Sequence, residues 1–199
     1  MRRVYVFIAT TGLELDARVI EISAIEELDG ILSGVCFNQF INPDGTHMHD
    51  AAFAVTGYDD DFLKQYPLFS EIAEAFLCFI ESAEFICWDV NYDLAYLNRE
   101  LRLLGKPSIK FRKNCAIAPD IRVTVKKMFP KMTCLRDRLY KYFDVNGDDC
   151  SLSWTQSSCL CMARLYPKIK NPSFKLYWRV QFISWASYLR LRIYDLAKL

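Results

Sequence analysis

The chain has 199 residues, of which 52% are hydrophobic and 15% aromatic. This length suits one domain, and the large apolar fraction excludes an intrinsically disordered chain because it can bury a substantial core. The net charge of +1 gives no general preference for nucleic acid or membrane surfaces, and no apolar run is long enough to span a bilayer.

The chain begins with a pattern of β-strands. Val4–Ala9 is a short apolar run that ends at a turn, which is typical of a buried strand, and Arg18–Glu27 alternates apolar and polar residues. A third run, Gly34–Ile41, stops at the strong turn signal Asn42-Pro43-Asp44-Gly45. The order predicts a three-stranded antiparallel meander.

The middle of the chain alternates strands and helices. Apolar runs predict strands at Glu84–Trp88 and Asn114–Ile117. Helical periodicity predicts helices at Ser70–Ser82, Tyr92–Leu104, Asp120–Met128, Leu135–Phe143 and Leu152–Leu165. Ser70 is the predicted N-cap of the first helix, and Pro167 is predicted to end the last. Strands followed by β–α alternation predict an α/β domain with a mixed sheet.

The last segment, Phe174–Lys198, carries large apolar residues at helical spacing. Trp178, Phe182, Trp185 and Leu189 lie on one stripe of the predicted helix. We expect this helix to pack on the preceding domain. The alternative is an interface with a protein partner or a second copy of the chain, because large aromatic side chains dominate interface energetics.

Charge is distributed unevenly between the two parts of the chain, which we divide into a domain of residues 1–166 and a helical extension of residues 167–199. The extension holds seven basic residues and one acidic residue, so the preceding domain carries a net charge of −5. A basic extension on an acidic body predicts a docking surface for an anion, with Lys175 and Arg179 as candidate contacts to nucleic acid. A solvated helix face would explain the same charges.

The apolar strand at the start of the chain runs through Phe7 and Ala9 into the turn Thr10-Thr11-Gly12. The segments that carry a resemblance after it are Val19–Ala24, Ile41–Pro43, Val55–Tyr58, Phe85–Leu97, Cys115–Pro130 and Leu135–Val145. In this order and spacing they resemble the DnaQ-like (DEDD) 3′–5′ exonucleases, whose first motif reads Asp-x-Glu-Thr-Thr-Gly. The resemblance implies an RNase H-like fold: a mixed five-stranded sheet flanked by helices, here with an extra aromatic and basic C-terminal helix.

The family's chemistry depends on four carboxylates that hold two divalent cations and on a histidine that serves as the general base. Asp93 falls on one of the metal-binding aspartates. Phe7 and Ala9 stand where the family has Asp and Glu, Ser153 where it has the histidine, and Ser158 where it has the last aspartate. One carboxylate cannot orient two hard dications, so the resemblance implies no bound metal and no cofactor.

The sequence therefore predicts a catalytically inactive exonuclease-fold protein that acts by binding. In one version, the protein binds single-stranded RNA or DNA through two surfaces. These are the cleft that holds the catalytic site in the family, which includes Thr10 and Thr11, and the basic extension. The other is a scaffold for a protein partner or a homodimer, formed through the C-terminal helix. The alternative is an active, divergent exonuclease that uses Mg²⁺ or Mn²⁺ with substitute acids such as Asp89. Glu14 lies past the turn and is expected to start several ångströms from the positions of Phe7 and Ala9.

Cysteine usage and the N-terminus predict the compartment. The eight cysteines include no Cys-x-x-Cys pair, and the first residues lead directly into a strand without a secretory signal. These features predict reduced thiols in a cytoplasmic protein that is not attached to a membrane. His47 and His49 are expected to lie in a solvent-exposed turn.

Overall fold

The computed structural model describes residues 1–111, 115–128, 135–145 and 151–170. The strands are β1 (Arg2–Thr10), β2 (Val19–Leu28), β3 (Ile31–Phe40), β4 (Glu84–Cys87) and β5 (Ala116–Ile117). The helices are α1 (Asp50–Thr56), α2 (Asp60–Leu63), α3 (Phe69–Ile80), α4 (Val90–Leu103), α5 (Ile121–Met128), α6 (Leu135–Tyr142) and α7 (Trp154–Lys170), with a 3₁₀ turn at Ile109–Phe111. The predicted α/β class with a mixed sheet is confirmed.

The five strands form one sheet in the order β3-β2-β1-β4-β5. The pairs β1–β2 and β2–β3 are antiparallel, which confirms the predicted meander, and β4 and β5 add in parallel. The segment with α1 to α3 leads from β3 to β4, and helix α4 leads from β4 to β5. Such long connections are needed because two parallel strands cannot be joined by a tight turn. The central strand β1 thus ends beside the starts of α4 and α5.

The alternating side chains of β1 divide the core into two layers. Val4, Val6 and Ile8 face a cluster that includes Phe76 of α3 and Leu97 of α4. Tyr5, Phe7 and their neighbours face the opposite layer, which α5, α6 and α7 cover. Because successive side chains of a strand point to opposite faces, a strand covered on both sides is apolar at nearly every position. This explains the continuous hydrophobic run that ends at the turn.

Several predicted helix boundaries differ from the structure by one or more residues, and two of these differences have a clear physical cause. α3 begins at Phe69 rather than after Ser70, because the carboxylate of Glu71 accepts a hydrogen bond from the backbone N–H of Leu68, 2.7 Å away. α7 continues through Pro167 to Lys170, where a stop at Leu165 was expected. Its last turn is retained because Ile169 is buried in the core. The division at residue 166 stays a prediction.

An ion pair joins β2 to α4 below the turn that follows β1. The guanidinium of Arg18 donates from Nε to Oε1 of Glu100 at 2.7 Å and from Nη2 to Oε2 at 3.0 Å. Oε1 also accepts the backbone N–H of Val19. Glu100 is 2% exposed, so this paired, hydrogen-bonded carboxylate fixes the approach of α4 to the sheet.

The six cysteines in the described ranges are free thiols, three of them buried. Across those ranges, no helix combines the length and apolar character needed to cross a bilayer.

Candidate functional site

A cleft of about 690 Å³ lies at the carboxyl end of β1. Its walls come from the turn after β1, the start of α1, the start of α4, helix α6 and the start of α7. The residues that line the cleft include Thr10, Asp50, Asp93, Arg136 and Trp154. Of the residues predicted for the site, Phe7, Ala9, Thr10 and Asp93 line this cleft, whereas Thr11, Ser153 and Ser158 are not among its lining residues.

The Thr-Thr-Gly turn is held by hydrogen bonds to its surroundings. Thr11 donates its N–H to the Arg18 carbonyl at 2.9 Å, and its hydroxyl accepts the Arg18 N–H at 3.1 Å. The Thr10 hydroxyl donates to the Gly12 carbonyl at 2.6 Å and lies 2.7 Å from the Tyr92 hydroxyl. Thr11 has no exposed surface, so its side chain supports the turn, whereas Thr10 lines the cleft. Contact of these threonines with nucleic acid stays a prediction.

Phe7, which is predicted to stand at the family's first aspartate, places an apolar ring at the cleft. The side chain is 6% exposed, and its ring meets Trp154 edge to face, with centroids 5.3 Å apart and planes at 77°. This is a favourable geometry for an aromatic pair. The guanidinium Cζ of Arg136 lies 5.3 Å from the centre of the Phe7 ring and 5.0 Å from that of Trp154. Arg136 was not predicted as a site residue, because it lies in an ordinary helical pattern without a motif.

Ser153, which is predicted to stand at the position of the family's histidine, caps α7. Its hydroxyl accepts the N–H of Gln156 at 3.0 Å, and the side-chain oxygen of Gln156 accepts the N–H of Ser153 at the same distance. This reciprocal arrangement is a capping box. The sequence pattern Ser-x-x-Gln is typical of such a helix start. Ser158, predicted to stand at the position of the last aspartate, is 6% exposed within α7.

The Ser153 hydroxyl also donates to a buried carboxyl of β2. Glu21 is 1% exposed and lies opposite Ala9 in the β1–β2 pairing. One of its oxygens accepts from Ser153 and the other from Thr155, whose Oγ1 is 2.6 Å away. Burial raises the pKa of Glu21, against the opposing effect of these donors. The Ser153 hydroxyl is therefore engaged by this carboxyl.

Asp93, the predicted counterpart of a metal-binding aspartate of the family, is 4% exposed in the first turn of α4. Its Oδ2 accepts the backbone N–H of Asp89 at 3.1 Å, and the Cys87 thiol also hydrogen-bonds to it. Burial raises the pKa of Asp93 to about 7, because the charged form loses its hydration and these donors compensate only in part.

Two further carboxylates lie beside Asp93 at the start of α4. The Asp89 side chain caps the helix by accepting the Tyr92 N–H at 3.2 Å, and it forms an ion pair with Arg122. Asp120 accepts the Val90 N–H at 3.2 Å. Both groups therefore have structural partners, and Asp89 also lines the cleft.

The loop after β1 brings the Glu14 side chain to the wall of the cleft. A Cβ on Gly12 would lie 2.1 Å from Oε2 of Glu14, so glycine is what permits this approach. Oε1 of Glu14 lies 3.5 Å from Nδ1 of His49, and both residues line the cleft. His47 is exposed as predicted, with 89% of its side chain accessible, but His49 is only half exposed.

The side chains present do not fit a pair of divalent cations. Phe7 and Ala9, at the two predicted acid positions, offer a phenyl ring and a methyl group, and the hydroxyl of Ser153 donates to Glu21. Within the described ranges, no three His, Cys, Asp or Glu side chains converge in a way that could hold a metal ion. Hard cations need several oxygen ligands that converge on one point.

The predicted contacts of the C-terminal extension fall on residues outside the described ranges. They are Lys175 and Arg179 for nucleic acid, and Trp178, Phe182, Trp185 and Leu189 for a protein interface. These assignments stay predictions.

Comparison with known sequences places this site in a family context. The family model RNase_T, described as an exonuclease, matches residues 10–149. The chain is 34% identical over 181 residues to the DNA polymerase III subunit epsilon of Rickettsia typhi, covering 88% of this chain and 78% of that protein. It is 28% identical over 149 residues to the subunit of the same name from Escherichia coli, covering 75% and 60% of the two chains.

Solved structures show the same fold at low sequence identity. Exonuclease X in complex with 5′ overhanging duplex DNA superposes with a TM-score of 0.64 at 15% identity, over 86% of this chain and 92% of that one. Exonuclease I of E. coli in complex with a dA16 oligonucleotide gives a TM-score of 0.69 at 13% identity, over 88% and 42%.

Proposed function

The chain belongs to the DnaQ-like exonuclease family, and we propose that it is a member that binds single-stranded nucleic acid without hydrolysing it. The observation that carries this proposal is the Phe7 ring, which occupies the first acid position and is packed between Trp154 and Arg136. A ring in this place excludes the water and ions that a hydrolytic centre needs. The cleft itself remains open.

The remaining donors do not rebuild a two-metal centre. Asp93 is buried, and its carboxyl already accepts hydrogen bonds from the protein. Asp89 is engaged by Arg122 and by the N-terminus of α4. Without paired cations, the cleft has no means to generate hydroxide or to stabilise a leaving oxygen.

The cleft is well suited to holding bases. Trp88, Tyr92 and Trp154 line it together with Phe7, and a volume of about 690 Å³ accommodates nucleotide units. Stacking of a base on an aromatic side chain contributes about 1–3 kcal/mol and tolerates any base. Exonuclease X and E. coli Exonuclease I, which share this fold, were each solved with DNA bound.

A binding experiment without metal tests the proposal. Fluorescence anisotropy of labelled single strands of DNA and RNA, in EDTA and at low salt, is expected to show saturable binding that weakens as salt increases. Trp88→Ala is expected to weaken binding by about tenfold, since it removes one stacking surface. Absence of binding by the wild-type protein at low salt would refute the proposal.

The second candidate is an active exonuclease with a rearranged site. It is favoured by one observation: Glu14, His49, Asp50 and Asp89 line the same cleft as Asp93. Incubation of a labelled single strand with Mg²⁺ or Mn²⁺ distinguishes the two candidates. Digestion that requires the metal and disappears in Asp93→Ala would establish the active enzyme, whereas an intact strand supports the binding protein.

A further inference from the structure

We propose that the guanidinium of Arg136 is the phosphate-binding group of the cleft, taking over the charge that divalent cations supply in hydrolytic members of the fold. This inference rests on the proposed function, because it assigns the phosphate contact of the same site. The ligand class is the phosphodiester of a single strand.

The position of Arg136 supports this assignment. Its Cζ lies 5.3 Å from the ring centre of Phe7 and 5.0 Å from that of Trp154, and the residue lines the cleft. Two rings at 77° hold the planar group at the former metal-binding position. Arg136 thereby places a permanent positive charge where the family pattern has its first acid.

The chemistry of guanidinium makes this arrangement compatible with phosphate binding. Contact with an aromatic ring uses the face of the guanidinium, whereas hydrogen bonds to phosphate use the N–H groups at its edge. The planar fork matches the spacing of two phosphate oxygens, and such bidentate, charge-assisted bonds are among the strong ones. Lysine in the same place would keep the charge and lose the fork.

The charges nearby do not remove the preference for an anion. The acidic residues that line the cleft are Glu14, Asp50, Asp89 and Asp93. Asp89 forms an ion pair with an arginine of α5, Glu14 lies 3.5 Å from a ring nitrogen of His49, and Asp50 is exposed to solvent in the first turn of α1. Asp93 is 4% exposed and bonded to the backbone. The aromatic residues Trp88 and Tyr92 share the cleft with the guanidinium, so a base and its phosphate have adjacent contacts.

The test compares Arg136→Gln with a matched control, Arg138→Gln, which removes an exposed arginine from the same helix. Binding of a labelled single strand of about ten nucleotides is measured by anisotropy in EDTA over a range of salt concentrations. We expect Arg136→Gln to lower the affinity by about tenfold to a hundredfold. The slope of log affinity against log salt should fall by roughly 0.7. The control is expected to stay within about twofold of the wild type.

A second pair of variants keeps the test valid if the glutamine variant unfolds. Arg136→Met retains the aliphatic contact with both rings and removes the charge, so it should reproduce the loss of affinity. Arg136→Lys should fall between the wild type and Arg136→Gln, with an unchanged salt slope. Melting temperatures, measured first, identify which variants are folded.

Protection against thermal unfolding by inorganic phosphate, a mononucleotide and the oligonucleotide separates the possible sources of the phosphate. We expect protection to increase in that order, and equal protection by all three would overturn the assignment to a strand. If the wild type binds and Arg136→Gln binds as tightly as Arg138→Gln, the role of Arg136 is refuted and the proposed function stands. If the wild type does not bind, both are wrong.

Discussion

The buried carboxyl of Asp93 makes the stability of this fold depend on pH, and Asp93→Asn isolates that dependence. The side chain is 4% exposed, and burial raises its pKa from an ordinary value of 3.8 to about 7. Asparagine has the same size, and its oxygen can accept the hydrogen bond that Asp89 N–H now donates. The substitution therefore removes the ionisation and little else.

The sign of the effect follows from the direction of the pKa shift. Well below about pH 4 the carboxyl is protonated in both the folded and the unfolded chain, so no penalty arises. As pH rises toward about 7, the unfolded chain releases a proton that the folded chain retains, and the free energy of unfolding falls. A pKa displaced from 3.8 to about 7 corresponds to roughly 4 kcal/mol. We expect the variant to be more stable by about 2–4 kcal/mol at pH 8 and nearly equal to the wild type at about pH 4.

Urea unfolding followed by tryptophan fluorescence, repeated across this pH range, measures the difference between the two proteins. Other titrating groups, including Glu21, are common to both and cancel in the difference. Asp61→Asn is the matched control, because 88% of the Asp61 side chain is exposed. An advantage of the variant that does not change with pH, or a variant less stable at pH 8, would refute the reasoning.

Three further changes test the packing around the cleft. Phe7→Ala removes a ring that is 6% exposed and should lower the free energy of unfolding in urea by about 3–5 kcal/mol; a loss below about 1 kcal/mol would contradict the packing described. Ser153→Ala removes the cap of α7 and a donor to Glu21, so thermal denaturation should report a loss of about 1–3 kcal/mol. That loss is expected to be larger at alkaline than at acidic pH, since ionised Glu21 needs the donor more. Glu100→Ala removes the carboxylate that pairs with the guanidinium of Arg18 and should lower the free energy of unfolding by about 3–5 kcal/mol. The double variant Arg18→Met/Glu100→Leu should cost less than that single change in the same urea titration, and additive losses would count against the pair.

The fold could be predicted from the sequence because its signals are local. The apolar run of β1, the turn at Asn42–Gly45 and the periodicity of α4 each specify their own structure. Helix ends were less predictable, since they depend on competition between neighbouring groups. At α3 the Glu71 carboxylate binds the Leu68 N–H and overrides the capping preference of Ser70.

The site was predictable only where a motif marks it. Phe7, Asp93 and Ser153 were placed by alignment with the family pattern, and the structure brings Phe7 and Asp93 to one cleft. Arg136 and Glu14 escaped prediction because their proximity to the cleft depends on how α6 docks and how the loop after Gly12 folds back. Such long-range placement has no periodicity that a sequence could reveal.

The group formed by Phe7, Trp154 and Arg136 constrains the routes by which this protein can change over generations. A lone Phe7→Asp exchange would set a carboxylate beside the guanidinium, so the new acid would gain a partner from its own chain rather than an ion from solution. It would also leave Trp154 without the ring it packs against. Each single step therefore lowers stability before several such steps could assemble a ligand set. Single substitutions at this position are therefore selected against, because each lowers the stability of the fold. The arrangement of the three side chains is expected to persist for that reason.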